Sequence, residues 1–123
     1  MESTEHIAPK RGEVWLVAFG AGREGEPTKT RPAVVISANE QSTHSIHDLV
    51  IVVPLSSSLE VTPARPGLSV SSENGLLADS VVVARSIRGV PLSRFCRRLG
   101  RIDVHSLRRI ELVLMALMDL PLS

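Results

Sequence analysis

The chain has 123 residues, 43% of them hydrophobic, and a formal net charge of +1. That length holds one domain with a real core, and the hydrophobic content excludes a disordered chain. A near-zero net charge excludes reading a nucleic-acid or membrane partner from bulk electrostatics, and one cysteine, Cys96, excludes an internal disulfide and fits a reducing compartment.

Residues 1–9 are polar and end in Pro9, which predicts a flexible arm with no apolar stretch of a signal peptide. Residues 10–123 are expected to form the single domain. The segment 12–19, "GEVWLVAF", alternates: Val14, Leu16 and Ala18 face one way, and Glu13, Trp15, Val17 and Phe19 the other. This is a strand covered on both faces. Glycines and a proline make 20–30 a loop. "RPAVVIS" (31–37) reads as a second strand and "ANEQSTHSIHD" (38–48) as a polar loop. "LVIVVPLS" (49–56) is apolar enough for a central strand, with Pro54 expected to stop its pairing.

Two prolines make 57–67 irregular. "LSVSS" (68–72) reads as a short edge strand and "ENG" as a turn. "DSVVVARSI" (79–87) reads as one strand, "GVPLSR" (89–94) as a turn, and "FCRRLGRI" (95–102) as the last strand. Asp103 has the chemistry of a helix N-cap. Leu107, Ile110, Leu114 and Leu117 then recur at helical spacing, while Leu112, Val113, Met115 and Met118 widen the apolar surface. Such a helix needs cover on more than one side, which a homodimer interface would supply. No apolar run is long enough to span a bilayer. Five or six short strands followed by one helix predict a mainly β, small barrel-like fold.

Position singles out one arginine. Pro32 fixes its own φ, lacks an N–H, and pushes Arg31 into an extended conformation at the mouth of a core strand. A guanidinium held there suits a phosphate; it equally fits a strand-end arginine that snorkels and pairs with Glu26. His44 and His47, in "HSIH", have the pKa range for acid–base work but also read as solvated loop residues, and no further ligand has metal-site spacing.

"KRGEVWLVAF", "GEPTKTRPAVVIS", "LVIVVPLSSS" and "DSVVVARSIRGVPLSR" occur in that order. Together they resemble the MazF/PemK family of toxin endoribonucleases of type II toxin–antitoxin systems, from about residue 10 into the terminal helix. The resemblance implies an SH3-like barrel of the CcdB/MazF type, a cytoplasmic homodimer, and metal-independent cleavage of single-stranded RNA with no cofactor. It also implies neutralisation by a cognate antitoxin. The family's active-site arginine matches Arg31, its threonine matches Ser56, and its loop glutamate matches Glu26. Serine for threonine keeps the hydroxyl and loses the methyl that stiffens χ1. Ser57 is adjacent and offers the same group.

Lys29, Thr30, Ser57, Arg85, Ser86 and Arg88 are the expected RNA contacts. Arg94, Arg97, Arg98 and Arg101 add cations for a backbone-tracking groove. "RSIRGV" (85–90) departs from the family's frequent D-Q-I-R-T-I, which leaves the RNA sequence preference open. The alternative reading is a non-catalytic toxin like CcdB, which binds a protein target such as DNA gyrase and would not need the Arg31 and Ser56 pair.

Overall fold

A computed structural model describes residues 8–20, 29–39 and 48–121. Seven strands stand among them: β1 (Glu13–Gly20), β2 (Lys29–Val35), β3 (Leu49–Ser56), β4 (Gly67–Leu68), β5 (Ser80–Val82), β6 (Arg88–Pro91) and β7 (Phe95–Arg101). One helix, α1 (Val104–Leu117), follows β7. The sheet order is β4-β5-β3-β2-β1-β7, with β6 also paired to β3. The mainly β architecture with a C-terminal helix is the one the sequence predicts.

Alternation along β1 builds two cores, one on each face. Val14 joins Val34, Val53, Leu55, Val82, Ile110 and Leu114, which seats α1 on the sheet. Trp15 and Val17 join Ala33, Val35, Val50, Val52, Val90 and Leu92 on the other side. The Trp15 ring meets Phe95 edge-on at 5.7 Å between centroids, and its indole N–H donates to Glu13 Oε1 at 2.9 Å. The helix begins where expected: Asp103 accepts from the Ser106 N–H at 2.6 Å. Arg11 then ties the helix to the barrel, donating to Ile36 O and to Glu111, which also accepts from Arg108.

The prolines of β2 and β3 mark where strands change partners. Ile36 N donates to Ile51 O, while Val35 O accepts from Gly12 N. Even-numbered β2 residues therefore turn their backbone groups toward β3 and odd ones toward β1. Pro32, with no N–H to give, points to the β3 side just past the last pair, Ala33 with Pro54. Pro54 does not stop its strand, contrary to expectation. It sits between the ladder to β6, which ends at Val52–Arg88, and the ladder to β5, which runs through Leu55–Val82 and Ser56–Val81. Its carbonyl still accepts from Val83 N, and its missing donor falls at the junction of the two ladders.

The same junction corrects the segment 79–87. A strand forms only over Ser80–Val82, and Ala84–Ser86 turn through a 3-10 helix. Arg85 and Ser86 therefore stand on an exposed turn rather than a strand. Gly89, Val90 and Pro91, expected to turn, instead join Arg88 in β6, and the turn comes at Leu92–Arg94. Of the expected edge strand 68–72 only Leu68 pairs, together with Gly67 before it. β2 begins at Lys29, so Arg31 lies inside the strand, opposite Val17.

The turn before β5 docks on the far edge of the sheet. Arg101 N donates to Glu73 O at 2.8 Å. Asn74 is buried there, accepting from Ser71 N and Leu76 N and donating to Ser69 O. Gly75 follows with φ of 70°.

Candidate active site

The start of β2, the end of β3, the turn at 75–78 and the middle of β7 enclose a cleft of about 610 Å³. Thr30, Arg31, Ser56 and Ser57 line it together with Arg97. Leu16, Pro32, Leu55, Leu76 and Leu99 give it apolar walls. Residues 25 positions apart in sequence thus meet at one surface, because β2 and β3 are adjacent and antiparallel.

Arg31 is half-buried on β2. Among the described residues no carboxylate pairs with it; the ion pairs there are Arg11–Glu111, Arg98–Glu13 and Arg108–Glu111. Ser56 is buried at 8% exposure, the last residue of β3. Its Oγ accepts from the Ser58 N–H at 3.2 Å and shares a hydrogen bond with Ser58 Oγ at 3.2 Å. Ser58 is a residue the sequence reading missed. The Ser-x-Ser spacing carries its signal, since a hydroxyl that accepts from the backbone two residues on forms a local turn.

Other expected contacts lie away from this cleft. Lys29 is exposed beside Gly20, at the start of β2. Arg88 lays its guanidinium over the Phe19 ring, 4.4 Å from the centroid, a cation–π contact. Arg85 and Ser86 are exposed on their 3-10 turn. Glu26, His44 and His47 lie outside the described residues. Among the described residues no three His, Cys, Asp or Glu side chains come together as a metal site would need.

The doublet Arg97–Arg98 shows how strand pleat separates neighbours. Arg98 stands opposite Trp15 and its Nε donates to Glu13 Oε2 at 2.9 Å. Burial raises the Glu13 carboxyl's pKa, but the Lys10 N–H, the Trp15 indole and the Arg98 guanidinium outweigh it and hold Glu13 below the usual carboxylate range. Arg97 stands opposite Leu16 and lines the cleft.

Residues 10–118 match the family of PemK-like, MazF-like toxins of type II toxin–antitoxin systems. Endoribonuclease MazF9 of Mycobacterium tuberculosis is 33% identical over 115 residues, covering 90% of this chain and 97% of that protein. The MazE-MazF structure (Form-II) from Deinococcus radiodurans has a TM-score of 0.76 at 21% identity, covering 94% of this chain and 99% of its own. An endoribonuclease in complex with its cognate antitoxin from Mycobacterial species has a TM-score of 0.73 at 22% identity, covering 94% and 100%. At those identities the structural likeness speaks for the fold alone.

Proposed function

This chain belongs to the family of PemK-like, MazF-like toxins of type II toxin–antitoxin systems and is an endoribonuclease of the MazF type, and from that premise we propose that it cuts single-stranded RNA without a metal, using Arg31 and Ser56 on one phosphate. The observation that carries the reading is their meeting in one cleft, with Arg31 free of any carboxylate among the described residues.

The RNA supplies its own nucleophile. Its 2′-oxygen attacks the adjacent phosphorus, the bond to the 5′-oxygen breaks, and a 2′,3′-cyclic phosphate and a 5′-hydroxyl result. The 2′-hydroxyl loses a proton and the 5′-oxygen gains one. Negative charge grows on the phosphoryl oxygens between those events. Arg31 stabilises that charge as a fixed guanidinium, a permanently charged donor that suits this role better than that of base. The Ser56 hydroxyl orients a phosphoryl oxygen. It accepts from the Ser58 N–H, and when the Ser58 hydroxyl also donates to it, the Ser56 proton is free for phosphate. Glu26, five residues before Arg31, is assigned to hold that guanidinium in place.

A cognate antitoxin is proposed to neutralise the enzyme, by likeness to a relative whose structure is a complex with its cognate antitoxin. A homodimer is proposed to cover α1, where Leu112 is 37% and Met118 50% exposed. The family match, with an endoribonuclease as a relative at 33% identity, favours this reading over a protein-binding toxin. Cellular RNA as substrate implies action in the cytoplasm. Among the described residues no helix is long and apolar enough to cross a membrane.

The test is incubation of the protein with a long single-stranded RNA in EDTA, beside Arg31→Ala, followed by end-group analysis. Discrete fragments with 2′,3′-cyclic phosphate ends from the wild type alone are expected. An Arg31→Ala variant that is folded and equally active would remove Arg31 from the site.

A further inference from the structure

We propose that Arg97 is a second phosphate-binding residue of the cleft, holding a phosphodiester of the same RNA strand that flanks the one being cut. The inference rests on the nuclease reading of the cleft and adds a subsite to it.

Three observations carry it. First, Arg97 faces the cleft across the sheet: it stands opposite Leu16 on β1, and Leu16 stands opposite Pro32 on β2. β7 and β2 flank β1, so the Arg97 backbone lies two interstrand steps, about 10 Å, from that of Pro32 beside Arg31. Second, Arg97 is exposed and its side chain has no ion pair or hydrogen bond among the described residues. Its neighbour Arg98 is tied to Glu13. An arginine held for structure would have a partner, as Arg98, Arg11 and Arg108 do. Third, the cleft that Arg97 and Arg31 both line has apolar walls, among them Leu16, Pro32 and Leu99. Two cations in one apolar-walled cleft match a single strand, whose phosphates are charged and whose base faces are not.

The division of labour follows from placement. Arg31 is half-buried beside the Ser56 hydroxyl and meets the phosphate that reacts. Arg97 is exposed on the β7 wall of the cleft and meets one that does not. It therefore strengthens binding of ground state and transition state alike, which lowers KM and leaves kcat alone.

Two measurements test this with the full-length protein. Steady-state cleavage of a long single-stranded RNA is compared for wild type, Arg97→Ala and Arg97→Lys. Arg97→Ala should raise KM about tenfold, the loss expected for one charge-assisted contact, with kcat within about twofold. Arg97→Lys should recover part of the loss by charge alone. In the non-cleaving Arg31→Ala background, RNA binding is then followed against salt. Removing Arg97 should weaken binding about tenfold and flatten the log–log salt slope by ~0.7, the value for one phosphate contact on a single strand.

A fall in kcat at unchanged KM would overturn the proposal, by placing Arg97 on the reacting phosphate. Unchanged RNA binding with a weakened antitoxin complex would overturn it in favour of an acidic peptide. If the wild type cuts no RNA, the nuclease reading fails, and the binding measurement still decides whether Arg97 holds a phosphate.

Discussion

Gly75 and Gly100 close the sheet by mutual bareness. A β-carbon on Gly75 would lie 2.1 Å from Leu99 O, and one on Gly100 would lie 2.1 Å from Glu73 O. Each glycine gives passage to the backbone beside the other, so the turn before β5 can dock on β7 and donate its shape to the cleft wall.

Gly100→Ala is expected to destabilise the fold by about 3 kcal/mol, since backbone rather than a flexible side chain must move. For a domain of this size that lowers Tm by roughly 10 °C. Gly75→Ala carries the added strain of its φ of 70° and should also slow RNA cleavage, because Gly75 lines the cleft. Thermal melts of both variants check this; a wild-type Tm for Gly100→Ala would mean that the closure is loose.

Ser56→Ala should reduce cleavage by about a hundredfold, the scale of losing one donor to a developing charge. Ser58→Ala should cost much less, because the backbone N–H of residue 58 still donates to Ser56 Oγ. Ser57→Ala separates the candidates. If it is the damaging change and Ser56→Ala is mild, the phosphate-orienting hydroxyl is that of Ser57. Single-turnover rates decide.

Replacing His44 and His47 together should leave the cleavage rate and its pH profile nearly unchanged. General acid–base catalysis contributes ~100-fold or more. A loss of that size would move proton transfer to "HSIH" and leave Arg31 with charge stabilisation only.

Acid should weaken the fold through Glu13. Its folded carboxyl sits below its ordinary value of 4.5, despite burial, because Lys10 N–H, Trp15 and Arg98 favour the charged form. Its contribution is complete above 4.5 and is lost as pH falls through the lowered folded value. Urea midpoints should therefore drop below that pH, and Glu13→Gln should flatten the drop while costing ~1 kcal/mol near neutrality. Identical pH curves for both proteins would remove Glu13 from the acid response.

The sequence was most legible where one element does one thing. β3 forms over the expected residues, and Asp103 starts the helix, because an apolar run and a cap are local signals. Legibility failed where partners change. Arg85 and Ser86 follow a run of valines that looks continuous, yet the chain stops pairing with β3 after Val82 and turns through a 3-10 helix before β6 takes up the first half of β3. Arg97 and Arg98 look alike in sequence, and only the pairing of β7 with β1 separates their tasks. Arg31 stands out by its place before Pro32, and the resemblance adds Ser56; their meeting in one cleft depends on the antiparallel pairing of β2 and β3.

The order in which the cleft's walls leave the ribosome has its own consequence. Arg31 and Ser56 are synthesised early, but Arg97 and Leu99 come from β7, the last strand made, which must return to pair with β1. A chain stopped short of β7 lacks one side of the cleft and the partner that Glu13 and Trp15 expect. On the proposed reading of the cleft, RNA cleavage is expected only once β7 has been made and has paired with β1. Chains arrested before Phe95 should leave their own transcript intact; cleavage of that transcript would mean that β2 and β3 suffice.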